Sequence, residues 1–433
     1  MLPVLIFARP LTKILMNNTL TKNVDVKTVT VTSLVFLLPF LCLITRTGVG
    51  LCSFGFLLAA LWCAREGVPA FRRHLSDIRG VLTAFAIVFA FVGLVVMLHD
   101  GVPLRNWEKP SRMLLAASAL VAVLACRPTR KALWWGLIGG AIAGAAVSNY
   151  QRWFEGVLRP GGMMNAITFG DIVLCMGLMC LAGVLDFKGR QRIWPALGAV
   201  AGLIGTLATG TRGGWVAIIF AALLFVKYGH YLRGKFAKAA AALVALIMIG
   251  AYLVPQTGIS ERLGQGISDV RTYYSGGSAY TNVGVRLELW KGAGLLIARH
   301  PWMPAGTEQV KSELRELVDA GQLQPFVLEA EHFHNDTLQA LVYGGTFGAL
   351  CWFATLLLPF LFFLRILHTH ETASPHLIAP ALAGLLLVLS YFSFGLTEVI
   401  FWSTRSAMFY ALMVFVLMGL CLNARDAVTG ERA

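Results

Sequence analysis

Charge is what this sequence has least of: Asp, Glu, Lys and Arg together make up 13% of 433 residues, while hydrophobic residues make up 57%. A soluble domain ordinarily carries about 25% charged residues, so a soluble globular class is excluded. With a mean hydropathy of +0.70, the bilayer is the solvent for most of the chain. Acidic residues are the scarcer sign, 22 against 36 Lys and Arg, for a net charge of +14. Interleaved with apolar runs, that excess fits membrane topology and anionic lipid headgroups, and nucleic acid is not expected as a partner. A disulfide framework is missing too. Cys42, Cys52, Cys63, Cys126, Cys175, Cys180, Cys351 and Cys421 all fall inside or at the ends of apolar runs, where a thiol acts as a small hydrophobe. No clear internal repeat and no low-complexity tract occurs, and no matched pair of broken helices marks the two halves as it does in inverted-repeat transporters. The run from Leu2 to Ala8, ended by Arg9 and Pro10, is too short for a cleaved signal of ordinary form. The first span is therefore expected to stay as a signal anchor.

What is present is a succession of apolar runs. A helix needs roughly 17 to 25 residues to cross the ~30 Å hydrocarbon core. Spans are predicted near residues 29–45, 48–64, 81–98, 113–126, 133–148, 167–186, 193–209, 213–228, 239–254, 337–364, 377–396 and 403–422. The expected fold is all-α: a polytopic membrane protein of about 12 transmembrane helices. Positive charge sets its orientation, because cytoplasmic loops retain Lys and Arg. With the amino terminus inside, that side collects Arg72, Arg73, Arg79, Arg127, Arg130, Lys131, Lys188, Arg190 and Arg192, among others. The short outer loops hold only Arg46, Arg105, Lys109, Arg112, Arg152, Arg159, Arg212 and Arg405. Both termini are then cytoplasmic. Three regions follow: helices 1–9 over residues 1–254, an outer loop or lid over 255–335, and helices 10–12 with a cytoplasmic tail over 336–433. Within the lid, 261–282 is rich in Gly, Ser and Tyr, whereas 283–300 and 307–320 have helical spacing, and Pro301, Pro304 and Pro325 mark turns.

Three clusters on the outer side carry residue types fit for chemistry. The first is the turn Thr209-Gly210-Thr211-Arg212-Gly213-Gly214, where a guanidinium sits beside backbone N–H groups and a helix amino terminus. That combination binds anions, although an arginine snorkelling to the headgroups has the same pattern. The second is Arg286-Leu287-Glu288-Leu289-Trp290, followed by Arg299, His300 and Pro301; Arg286 and Trp290 share a helix face, as they would in an ordinary amphipathic lid helix. The third runs from Glu329 through Glu331, His332 and His334 to Asn335, Asp336 and Thr337, where a span begins. Asn335, Asp336 or Thr337 can cap that helix. His334 has no such structural task, and an imidazole titrating at about 6.5 is a natural general base. Metal binding is the rival use, since Glu329, Glu331, His332 and His334 are all ligand types.

The string Thr211-Arg212-Gly213 after a span, then Arg286, Trp290 and Pro301, then His334-Asn335-Asp336 with Leu338, Gln339, Gly345 and Gly348, resembles the O-antigen ligase and polymerase superfamily over roughly 195–350. One departure is Met303-Pro304-Ala305-Gly306, where the family often has Gly-x-Gly. The resemblance implies a GT-C-like membrane glycosyltransferase in the Gram-negative inner membrane, with its large loop, short helices and active site at the periplasmic face. Its donor would be O-antigen linked to undecaprenyl diphosphate and its acceptor lipid A-core. It further implies that His334, Arg212 and Arg286 are catalytic, that Arg212, Arg286 and Asn335 bind substrate, and that neither metal nor cofactor is required. Arg152 and Arg159 are second candidates for the same anion. On the His334-to-Gln339 string the ligase is favoured over the polymerase. A lipid-linked glycan transporter is disfavoured because ionisable residues at mid-membrane depth are few, Asp171 and Glu398 being the main ones and both near outer ends.

Overall fold

The computed structural model describes residues 25–98, 107–211, 213–228, 259–369 and 374–430. Among them every regular element is helical. In chain order these are α1 (Val26–Cys42), α2 (Gly48–Trp62), α3 (Ala64–Arg73), α4 (Leu75–Leu98), α5 (Glu108–Leu115), α6 (Ala117–Cys126), α7 (Arg130–Trp153), α8 (Ala166–Gly183), α9 (Ile193–Thr209), α10 (Trp215–Tyr228), α11 (Ile259–Tyr274), α12 (Gly284–Arg299), α13 (Thr307–Asp319), α14 (Asp336–Thr369), α15 (Pro375–Gly395) and α16 (Thr404–Thr429).

Eight of the helical stretches are long and apolar enough to cross a membrane, and a ninth arises if α2 and α3 count as one. The expectation of about twelve is thus met only in part among the described residues, for reasons that differ by segment. The span over 48–64 stops at Trp62, and the chain turns by 93° into α3, whose Arg65, Arg72 and Arg73 are exposed. Helix α1 and the apolar part of α10 are shorter than a full crossing. The span over 239–254 lies outside the described residues.

Burial orders the bundle. Helices α15 and α16 are apolar on every face and buried almost all round, so they form its centre. Helix α4 is equally apolar but exposes most of its surface, as a lipid-facing helix does. Around the centre, α9 packs on α7 and α8, α8 on α15, and α14 on α4 and α15. Chain direction then brings together the end of α7, the starts of α8, α14 and α16, and the ends of α9 and α15. The opposite end is tied by polar contacts around two buried acids: Asp426 meets His74 at 3.2 Å and Arg127 at 3.7 Å, and Asp186 holds Arg130 at 3.2 Å, the Trp134 indole and His376, while Arg425 meets the half-buried Asp77 at 2.6 Å.

A second, smaller core joins α12, α13 and the start of α14 through Leu289, Leu296, Val310, Leu314, Leu323, Phe333 and Val342. The Gly/Ser/Tyr-rich stretch is largely helical, as α11, and it is fastened to this core by Glu288. That buried carboxylate accepts the Tyr273 hydroxyl at 2.6 Å and the Gln324 N–H at 3.0 Å. Where α14 crosses the turn after α12, it breaks at Gly345 (φ 60°, ψ −167°), a conformation open essentially to glycine alone. The Thr346 N–H and hydroxyl, displaced from the helical pattern, donate to the Pro301 carbonyl at 2.9 and 2.7 Å. A Cβ at position 345 would meet the Trp302 carbonyl at 2.5 Å. Gly345→Ala should therefore cost about 1–3 kcal/mol from the backbone alone. A lowered thermal unfolding midpoint in detergent is the expected result, and an unchanged midpoint would show that this turn does not hold α14.

Candidate active site

The loop entering α14 is fixed peptide by peptide. Asn335 caps α14, its Oδ1 accepting the Leu338 N–H at 3.0 Å, while its Nδ2 donates to the Leu396 carbonyl at 3.0 Å. Asp336 accepts the Ile400 N–H at 3.2 Å, which laces the start of α14 to the 396–403 loop between α15 and α16. Both polar groups of the Phe333 peptide are held as well: its N–H donates to the Gln339 side chain at 3.1 Å, and its carbonyl accepts the Trp290 indole N–H at 3.0 Å. Trp290 is thus a clamp on the histidine loop, a use that its i, i+4 spacing from Arg286 did not reveal.

Between these clamps His334 sits at φ 48°, in the left-handed region that costs an L-residue roughly 1–2 kcal/mol. That turn aims two imidazoles at one carboxylate. His334 Nδ1 is 3.1 Å from Glu398 Oε2, His332 Nε2 is 3.4 Å from Glu398 Oε1, and the rings stand 4.4 Å apart. Glu398 is 4% exposed and takes the Val399 N–H at 3.0 Å on Oε1. The expectation that His334 lacks a structural partner is corrected here, since Glu398 is one. Glu329 and Glu331 are exposed, and the acid that meets the imidazoles is Glu398.

This pattern fixes the tautomers. A carboxylate only accepts, so His334 carries its hydrogen on Nδ1 and leaves the Nε2 lone pair free. His332 Nδ1 accepts the His334 N–H at 3.3 Å, so its hydrogen lies on Nε2, toward Glu398. The His334 side chain is 30% exposed and within reach of a reactant, whereas that of His332 is 13% exposed. Burial pushes the Glu398 carboxyl up, but the hydrogen bond from His334 and the nearby charges of both histidines outweigh it and leave it below the usual carboxylate range. Burial likewise lowers His332, against the pull of Glu398.

Cationic charge acts on this dyad through space. Arg286 is half-buried on α12, and burial is the strongest influence on it, depressing its guanidinium; Glu398 and Asp171 act to raise it, and Arg159 to lower it. Arg286 therefore shares one electrostatic site with Glu398, Asp171 on α8 and Arg159 in the α7–α8 loop. Asp171 is 1% exposed, and its Oδ1 has no hydrogen-bond partner among the described residues. Arg152 has another task, donating to the Leu158 and Ala208 carbonyls at 3.2 Å. Arg212 lies outside the described residues. Its neighbours are placed: the Thr211 hydroxyl donates to the Ala166 carbonyl at 3.2 Å, and Gly213 packs on the Thr397 side chain so closely that no Cβ would fit. The turn bearing position 212 thus rests on the loop that carries Glu398.

An imidazole backed by a buried carboxylate, within the electrostatic reach of Arg286, lies at one end of an apolar helical bundle, the architecture of a multi-pass membrane protein. Residues 197–353, from α9 into α14, match the family described as O-antigen ligase. Positions 212, 286, 290 and 334 all lie inside the matched segment. An uncharacterised protein of Haemophilus influenzae is similar to the chain, 21% identical over 288 residues that cover 65% of this chain and 72% of the relative.

Proposed function

We propose that the protein is an O-antigen ligase, a membrane glycosyltransferase that moves O-polysaccharide from undecaprenyl diphosphate to a sugar hydroxyl of lipid A-core. The observation that carries this reading is the His334–Glu398 dyad, its Nε2 lone pair free and Arg286 within electrostatic reach, with His334 and Arg286 both in the family-matched segment. His334 Nε2 takes the proton from the acceptor hydroxyl as the oxygen attacks the anomeric carbon. Glu398 holds the ring in that tautomer and stabilises the imidazolium that forms. Arg286 and Arg212 make charge-assisted bonds to the diphosphate as it departs, and Arg159 adds to the same field. One displacement opposite the leaving group inverts the anomeric centre. Asn335 has its side chain committed to the loop and acts on substrate through position alone.

The topology proposed with this reaction has about twelve spans in a Gram-negative inner membrane, with both termini cytoplasmic, residues 255–335 as the periplasmic loop, and membrane segments over 1–254 and 336–433. The gathering of Arg127, Arg130, Lys188, Arg190 and Arg192 at the bundle end away from His334 supports this orientation. A polymerase would use the same donor and extend another carrier-linked glycan. A lipopolysaccharide gel of a deletion strain separates the two: loss of all capped chains, with carrier-linked polymer still made, is expected for the ligase. Single repeats left on the core would reveal a polymerase.

Two results are expected of the purified protein. Glu398→Gln removes the charge behind His334 and should lower kcat at least ~10-fold with little change in KM, short of the loss on removing the base itself. Unchanged kcat would reduce Glu398 to a loop anchor. Excess EDTA should leave the rate undiminished, because fixed guanidinium charge already neutralises the leaving diphosphate. A chelator-induced loss that Mg²⁺ or Mn²⁺ restores would overturn the arginine mechanism.

A further inference from the structure

The three groups that set the His334 tautomer also form a ligand set. One ring nitrogen from each of His332 and His334 and a Glu398 oxygen all lie within 4.8 Å of one another. Two histidines and one carboxylate, with a fourth position open, is a donor set that zinc accepts. Bonds of ~2.0–2.1 Å at tetrahedral angles put neighbouring zinc ligands about 3.3 Å apart. Two histidine–carboxylate contacts are already close to this length, one to each carboxylate oxygen: 3.1 Å from His334 Nδ1 to Glu398 Oε2 and 3.4 Å from His332 Nε2 to Glu398 Oε1. The ligand nitrogens of the two rings are at most 4.8 Å apart, a gap that ring rotation can narrow. The frame is rigid, since Glu398 is held by the Val399 N–H and the histidine loop by Trp290 and Gln339.

The geometry points to a binding site for one Zn²⁺ ion on His332, His334 and Glu398 that switches the site off; the inhibitory part rests on the reading of His334 as the base. Ion-free His334 has its hydrogen on Nδ1 and its lone pair on Nε2. Zinc on Nδ1 displaces that proton to solvent, and a neutral ring so bound carries its hydrogen on Nε2, where no lone pair remains for the acceptor hydroxyl. His332 coordinates through Nε2 in the same way and takes its hydrogen on Nδ1, giving up only the 3.3 Å bond from the His334 N–H. Glu398 stays a carboxylate and exchanges its imidazole partners for the ion. Mg²⁺, which prefers six oxygen ligands, has no such set here.

Titration calorimetry of the full-length, chelator-treated protein with ZnCl₂ tests the site. One equivalent should bind, and His332→Ala and Glu398→Gln should each weaken binding at least ~10-fold, as even outer-shell substitutions do. His300→Ala and His376→Ala, which alter two of the other histidine–acid pairs, should bind as wild type, and excess MgCl₂ should not compete. Zinc at saturation should abolish transfer from the carrier-linked donor by the wild type, with full recovery on adding EDTA. Binding that survives both His332→Ala and Glu398→Gln, or no binding at all, overturns the site. If either variant fails to purify, the zinc-induced rise in the wild type's thermal midpoint and its absence in the other variant give the same answer. Zinc bound at one equivalent with transfer intact overturns the inhibition. An error in the base assignment itself shows separately, as zinc-free transfer by His334→Ala.

Discussion

His334→Ala should lower glycan transfer by about 10²–10⁴-fold while the protein still inserts and purifies as wild type, the range that a positioned general base contributes. The size of the effect follows from geometry. Of the two histidines that meet Glu398, only His334 combines a free Nε2, a carboxylate partner on Nδ1 and an exposed ring edge. His332 shares the carboxylate but has its hydrogen on the nitrogen facing it, so His332→Ala should be milder. A glutamine at 334 keeps a polar side chain and removes the base, so it should fall with alanine. Wild-type rates from His334→Ala at wild-type abundance would remove the residue from the chemistry.

The second large effect is expected at Arg286. Even Arg286→Lys should slow transfer about 10²–10³-fold, equivalent to roughly 2.7–4 kcal/mol, because an ammonium cannot reproduce the planar fork that grips two phosphate oxygens. The half-burial of Arg286, within the electrostatic reach of Glu398 and Asp171, sharpens the contrast with a surface anchor, since a half-buried cation acts through a lower dielectric than one at the headgroups. Arg212→Lys should behave in the same way. If both lysine variants keep full turnover, the two arginines serve the membrane interface and the diphosphate is held elsewhere.

Part of this site was legible from residue order alone and part was not. Asn335 could be assigned as a cap because Asn before an apolar helical run has one local partner set, and it caps α14 as expected. His334 stood out because an imidazole at a span entrance has few structural uses. Its carboxylate did not, since Glu398 lies 64 residues further on, beyond two spans, and no periodicity links them. The one available signal was an acid at the end of an apolar run; it singled out Glu398 and Asp171, but as arguments about transport. The left-handed turn at His334 has no sequence signature, because glycine is the residue that normally announces one. The fold divides along similar lines. Apolar runs located most helices, yet composition alone did not show that the run after Gly48 bends at Cys63 or that α14 breaks at Gly345. Nor did it show α11, whose glycines read as a loop although its Ile, Val and Tyr recur at helical spacing.

The most direct test is a reconstituted transfer reaction: purified protein in nanodiscs, glycan linked to undecaprenyl diphosphate, and lipid A-core, with lipid products followed by mass spectrometry. The expected result is glycan-capped lipid A-core formed only when both substrates are present, together with an equal amount of released undecaprenyl diphosphate and no added metal. Elongation of the carrier-linked glycan with lipid A-core left untouched, or no transfer to either, would contradict the account.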